Sequence, residues 1–189
     1  MSDHHTTVSS KSSTLPVSLA EAKTHLRLAN DELDEEVAAA LEAAVEYCES
    51  VTGRTLRDTS TLVQSYECWP EEVYFDREPV LSVTHVKYYD VNNTLQTLDS
   101  SYYRLHRQSE TASELEWDAL TFTYPTHYTR DDAVQITYTV GYSEVPATVK
   151  HAIKLALRLY FGDLTDREEG PIRRSCEDLL RTIDWGFYR

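Results

Sequence analysis

Asn30–Leu56 reads NDELDEEVAAALEAAVEYCESVTGRTL, and the class of the fold follows from its pattern. Leu33, Val37, Leu41, Ala44, Val45, Cys48 and Val51 recur at steps of three and four, the apolar stripe of an amphipathic helix. Asn30 or Asp31 can cap its start, and Glu32, Asp34, Glu35 and Glu36 sit beside the positive end of the helix dipole. Gly53 supplies the backbone freedom that ends helices. The polar face is one-sided: Glu42, Glu46 and Glu49 continue the acidic run, and no Lys or Arg interrupts it before Arg54. A charge run is most often the solvated face of a core helix. The sharper reading is a surface that meets a basic partner, or one that faces a like-charged polymer without sticking to it.

Working outward, Ser18 and Glu21 spell a capping box ahead of a short helix over Leu19–Leu28. It is too short to stand alone, so it is expected to pack on the acidic helix. Pro146 opens a third helix over Ala147–Phe161, with Val149, Ala152, Ile153, Ala156, Leu157 and Tyr160 as its buried stripe. Lys150, Lys154 and Arg158 fall at i, i+4 and i+8 on another face. This basic stripe complements Glu42, Glu46 and Glu49, within one subunit or between neighbours. Exposed pairs contribute roughly 0–1 kcal/mol each, so they set register more than they hold structure. After a charged loop over Asp163–Gly170, Pro171 is expected to start a last helix over Ile172–Ile183. The end of the chain is aromatic: Trp185, Phe187 and Tyr188 precede Arg189. Leaving such side chains in water costs roughly 1.5–3 kcal/mol each, so the tail is expected to dock on this subunit or a partner.

Between the helical blocks the period changes to two. Leu62–Tyr66, Val73–Phe75, Val80–Tyr89, Tyr102–Leu105, Leu115–Trp117 and Ala133–Val140 are rich in β-branched and aromatic residues. Turn signals at Trp69-Pro70, Glu78-Pro79, Asn92-Asn93, Tyr124-Pro125 and Gly141 separate them. This spacing indicates an antiparallel meander or small barrel rather than parallel βαβ units. The expected class is therefore α+β: a small core of two N-terminal and two C-terminal helices carrying an inserted antiparallel sheet or barrel. Residues 1–14 read as a disordered arm, 15–58 and 143–183 as the helical core, 59–142 as the β-rich insertion and 184–189 as an aromatic tail.

A chain of 189 residues, formal net charge −14 and pI about 4.8 lacks the clustered Lys and Arg that grip phosphates. Cys48, Cys68 and Cys176 are far apart with no histidine at ligand spacing, which argues for reduced thiols and against zinc. No apolar run approaches the roughly 18 residues of a membrane span. Glu114, Glu116 and Asp118 would share one face of a strand, a solvated edge more than an acid–base pair. His25, His85, His106, His127 and His151 are scattered, and the five glycines form no phosphate-binding loop. The expectation is a protein without catalytic residues, metal or cofactor.

Two blocks carry a family resemblance. The first is LAEAKTHLRL at Leu19–Leu28, the acidic start of the long helix, and YCESVTGRTL at Tyr47–Leu56. The second is VGYSEVPATVKHAIKLALRLY at Val140–Tyr160, where a strand ends in Gly-Tyr and Val-Pro opens a helix. Together, in this order, they resemble tailed-phage head–tail connector proteins, the adaptors that complete the head, over about residues 15–183. Phe161-Gly-Asp-Leu-Thr-Asp-Arg-Glu-Glu departs from the Arg-rich segment often found there, and Trp-Gly-Phe-Tyr-Arg at the C-terminus matches no family pattern. The resemblance implies a virion protein of the neck, made in the host bacterial cytoplasm. It would form a homo-oligomeric ring, a dodecamer in the virion, beneath the portal protein. The ring would present a platform to a tail-completion or tail-tube protein, with DNA passing through its channel without specific binding. On this reading Glu42, Glu46 and Glu49 meet Lys150, Lys154 and Arg158 between subunits. Leu180, Ile183, Trp185, Phe187, Tyr188 and Arg189 face the portal. The competing readings are a β-rich carbohydrate- or protein-binding module with helical flanks, and a tail-completion ring protein.

Overall fold

The structure, a computed structural model, describes residues 4–109, 112–118, 120–142, 144–162 and 165–182. The chain forms two compact units, Ser12–Asp58 with Tyr142–Arg189 and Met1–Lys11 with Thr59–Gly141.

The first unit is helical. Helix α1 spans Leu19–Leu26 and opens with the expected capping box: Ser18 Oγ accepts from Glu21 N at 3.2 Å, and the Glu21 carboxylate accepts from Ser18 N at 3.1 Å. It ends two residues earlier than expected because Arg27 turns left-handed, at φ 60°. Helix α2 spans Asp34–Thr52 and is closed by Gly53 at φ 65°. Its N-cap is Leu33, not Asn30 or Asp31. Asp31 and Asp34 instead bind Lys23 of α1, at 2.5 and 2.6 Å, which ties the two helices at the connecting turn. Helix α3 spans Ala147–Phe161, as its proline and stripe require. Helix α4 spans Asp166–Arg181, so most of the expected charged loop is helix. A Thr165–Glu168 capping box outweighs Pro171, which lies inside the helix. Val37, Leu41, Ala44, Val45 and Cys48 of α2 form one core with Ala152, Ile153, Ala156 and Leu157 of α3 and with Cys176 and Leu180 of α4. Val51 and Tyr160, read as stripe residues, are exposed at the helix ends.

The second unit is β. Strands β1 (His4–Ser10), β2 (Ser60–Tyr66), β3 (Val73–Tyr74), β4 (Val80–Tyr89), β5 (Leu95–Thr97), β6 (Tyr103–Ser109), β7 (Ala112–Trp117) and β8 (Val134–Val140) form two antiparallel sheets. The orders are β1-β2-β8-β4-β5 and β3-β7-β6. Among the described residues both are open, so the sheet and not the barrel is the outcome. Residues 4–10 correct the expectation of a disordered arm: they pair in register with β2, from His4 opposite Tyr66 to Val8 opposite Leu62. The reason is an available edge. The β-branched stretch Thr6-Thr7-Val8 fills it, while His4 Nε2 reaches Asp76 at 2.8 Å and Thr6 Oγ1 donates to the same carboxylate. The central strand β8 buries Val134, Ile136, Tyr138 and Val140 against Leu62, Phe75 and Val86, with Val73 and Leu115 of the second sheet in the same core.

Leu157 is fully buried, so Leu157→Ala is expected to destabilise the chain by about 2–5 kcal/mol. Val51→Ala, at an exposed site, is expected to stay within about 0.5 kcal/mol. Urea unfolding followed by circular dichroism measures both.

Candidate functional site

The helical unit is organised by two arginines that immediately follow α2, in the segment Thr52-Gly-Arg-Thr-Leu-Arg57. Arg54 is 1 % and Arg57 2 % exposed, unusual for arginine unless it is paired. Arg57 Nη2 lies 2.6 Å from Glu42 Oε1 and Nε lies 3.7 Å from Glu49 Oε2. Its Nη1 donates to the Ser12 carbonyl at 3.2 Å, and its own carbonyl accepts from Tyr142 N at 3.1 Å. Arg54 Nη1 donates to the Tyr142 hydroxyl at 3.1 Å, and Leu56 N donates to Glu49 Oε1 at 2.9 Å. Ser12, Arg57 and Tyr142 stand next to the three places where the chain passes from one unit to the other. Arg57 therefore fastens all three passages inside the helical unit, its guanidinium holding Ser12 and its backbone carbonyl holding Tyr142. A planar fork with several fixed donors can do this; a lysine ammonium cannot serve two carboxylates and a carbonyl in those directions.

The sequence-expected stripes land differently from one another. Glu42 and Glu49 turn to Arg57, while Glu46 is exposed. Lys154 pairs with Glu21 of α1 at 3.5 Å, Lys150 is half-buried and Arg158 is exposed. Leu180 is buried in the helical core at 1 % exposure, so it supports the end of α4 and is not itself a docking residue. Ile183, Trp185, Phe187, Tyr188 and Arg189 lie outside the described residues. Arg27 and Arg158, with His25 and Leu26, line a concavity of about 550 Å³ at the α1 and α3 surface. Burial, then the positive charges of Arg158, His151 and Lys154, hold the His25 imidazole below its ordinary pKa.

In the β unit a concavity of about 900 Å³ is lined by Trp117, Phe122 and Tyr124, with Glu71, Glu72, Glu114, Glu116 and Asp118 among its polar residues. Its aromatics are braced against each other: Trp117 stacks on Phe122 with centroids 5.0 Å apart, and the Trp117 indole donates to the Pro70 carbonyl. The acidic trio also has partners. Glu114 lies 3.1 Å from His106 Nδ1, Glu116 lies 2.6 Å from Arg104, and Asp118 accepts from Leu120 N and Thr121 Oγ1 in the following turn. Cross-strand register, with His106 opposite Glu114 and Arg104 opposite Glu116, makes these pairs. Sequence spacing could not show this, and it equally missed the Arg54 and Arg57 clamp. The available signal was two arginines directly after a helix that is otherwise acidic on its polar face.

The sequence model of a family described as head completion protein matches residues 17–169. No curated protein matches the chain significantly. Among solved structures, a chain in the virion of a native gene transfer agent particle is similar with TM-score 0.70 at 17% identity, covering 91% of this chain and 94% of that one. A chain from the neck of an empty GTA particle, computed with C6 symmetry, gives 0.65 at 19% identity over 89% and 94%. One from the neck of a native GTA particle, computed with C12 symmetry, gives 0.60 at 16% identity over the same shares, 89% and 94%. At these identities the likeness is one of fold.

Two outcomes are expected from this geometry. Arg57→Ala removes the buried cation from beside Glu42 and Glu49 and empties a buried volume, a loss of about 3–5 kcal/mol, and Arg57→Lys recovers little of it in the same unfolding assay. The unfolded chain titrates His25 near 6.5 and the folded chain below it, so the unfolded state binds more protons as pH falls. Stability should therefore decline as pH drops through 6.5 toward the folded value, and His25→Gln should flatten that part of the profile.

Proposed function

The chain belongs to the head completion protein family, and on that premise we propose that it is a structural adaptor of the head–tail junction. Copies assemble as a ring beneath the portal, close the DNA-filled head and offer a platform to the tail. The observation that carries this reading is the extent of the family match, residues 17–169, which takes in α1, α2 and α3 and the strands β2 to β8 between them. The fold likeness to chains of GTA necks, computed with C6 and C12 symmetry, supports a ring. A ring of identical copies needs two different faces that complement each other and close. The acidic side of α2, with Glu42, Glu46 and Glu49, and the basic side of α3, with Lys150, Lys154 and Arg158, supply faces of opposite sign. The formal charge of −14 suits a channel wall along which DNA moves without adhering. Because Glu114, Glu116 and Asp118 are each held by a histidine, an arginine or a turn, a structural role is favoured over acid–base catalysis. Portal docking is assigned to the aromatic residues Trp185, Phe187 and Tyr188.

Light scattering of the purified chain, alone and with its cognate portal, tests this. A portal-bound species many times the 21.7 kDa of one chain is expected, and truncation after Ile183 should remove binding. A chain that remains monomeric in both settings contradicts the adaptor reading.

A further inference from the structure

The β-unit concavity of about 900 Å³ is lined by five carboxylates, Glu71, Glu72, Glu114, Glu116 and Asp118, against one guanidinium, Arg104. His106, beside Glu114, adds a positive charge only when it is protonated. Acidic residues are common on this chain, and Glu35 and Glu36 in the first turn of α2 are exposed too, but they stand on the convex face of a helix. In the cleft the charges converge on one volume, where low-dielectric walls focus their field. They are also held in direction. Glu114 lies 3.1 Å from His106 Nδ1, and Arg104 Nε and Nη2 both meet Glu116 Oε2 at 2.6 Å. The Tyr74 hydroxyl donates to Glu72 at 2.9 Å, and the Thr121 hydroxyl and Leu120 amide hold the Asp118 carboxyl below its ordinary pKa. These contacts orient the carboxylates without saturating them, since an ionised carboxylate has about four acceptor positions.

The aromatic lining separates the possible occupants. A sugar is bound by an open ring face and by donors beside it. Trp117 is instead taken up in an aromatic cluster: Phe122 stacks on it with planes at 17°, and Trp69 meets it edge-on with centroids 5.6 Å apart. The indole N–H groups of Trp69 and Trp117 already donate to the Pro125 and Pro70 carbonyls, so neither is left for a hydroxyl. What the cleft shows to solvent is Leu120, 95 % exposed, and Tyr124, 45 % exposed. Leu120 is fixed at the rim by a braced turn, with Leu120 N on Asp118 Oδ1 at 3.1 Å and Phe122 N on the Asp118 carbonyl at 2.8 Å. After burial, the Glu71 charge raises the Tyr124 phenol pKa, which sets a ring and a carboxylate side by side. Lysine and arginine fit such a place, because the charged head meets carboxylates and ring while the apolar stem covers the aliphatic rim. We propose that this cleft docks a segment of a partner protein carrying arginine or lysine flanked by apolar residues. Nucleic acid does not suit it, since the same carboxylates repel a polyanion. The proposal goes beyond the ring reading and does not depend on it: the cleft lies wholly within the β unit, and binding there requires no assembly.

The test is fluorescence anisotropy on the full-length chain with three labelled probes: a short peptide of alternating arginine and leucine, the same peptide with glutamate in place of arginine, and a chito-oligosaccharide. Saturable binding of the arginine peptide alone is expected. Oligocations adhere to acidic proteins in general, so two charge-matched variants separate the cleft from the bulk charge. E71Q/E72Q should weaken binding about tenfold, whereas E35Q/E36Q, which removes the same charge from α2, should leave it within about twofold. L120S should weaken it about fivefold through lost apolar contact. All five sites are exposed, and circular dichroism confirms that each variant folds. A chain that shows no saturable binding of the arginine peptide overturns the proposal, and so does wild-type affinity in either E71Q/E72Q or L120S. Equal weakening by the two glutamine pairs overturns it as well, because the attraction is then that of the whole chain. Chito-oligosaccharide binding that E71Q/E72Q abolishes would reassign the cleft to carbohydrate.

Discussion

The structure depends on one buried guanidinium. Arg57 sits where α2 has just ended, and it holds Glu42 and Glu49 of that helix, the Ser12 carbonyl and, through its own carbonyl, Tyr142 N. Those groups flank every passage of the chain between the helical and β units. An insertion of this length, Thr59–Gly141, must leave and re-enter the helical unit without fraying it. A charge network costs desolvation that an apolar plug would not, but its hydrogen bonds have direction. Here the direction brings Ser12, Arg57 and Tyr142 to one place.

That clamp also changes what the acidic helix can do. Two of the three glutamates of the stripe that looks available in sequence, Glu42 and Glu49, turn to Arg57, while Glu46 is exposed. On the other side, Lys154 is spent on Glu21, which leaves Arg27 and Arg158 at the concavity. Exposed ion pairs are weak singly, so in the proposed ring each contact would be reversible, with strength coming from closure and from the portal as template.

The helices were legible because their signals are local. Ser18 with Glu21, Gly53 and Pro146 each act on the residues beside them, and the apolar stripes of α2 and α3 met in the core where expected. The strands were legible from their composition, but their partners were not. β8 lies between β2 and β4, and β1 was read as a free arm because its polar alternation acquires meaning only beside the open edge of β2. α4 started early because a capping box outcompeted a proline read as a start. The Arg57 clamp and the His106–Glu114 pair join residues 8 to 85 positions apart, across elements whose placement had first to be known. The resemblance to head–tail connector proteins was carried by the local signals, which is why it survived the errors in topology.

The most direct measurement is an electron cryomicroscopy reconstruction of the cognate portal incubated with the full-length chain. The account predicts a closed ring seated under the portal, with adjacent copies touching through their helical units. Copies attached singly to the portal with solvent between them, or a portal with nothing beneath it, would contradict it.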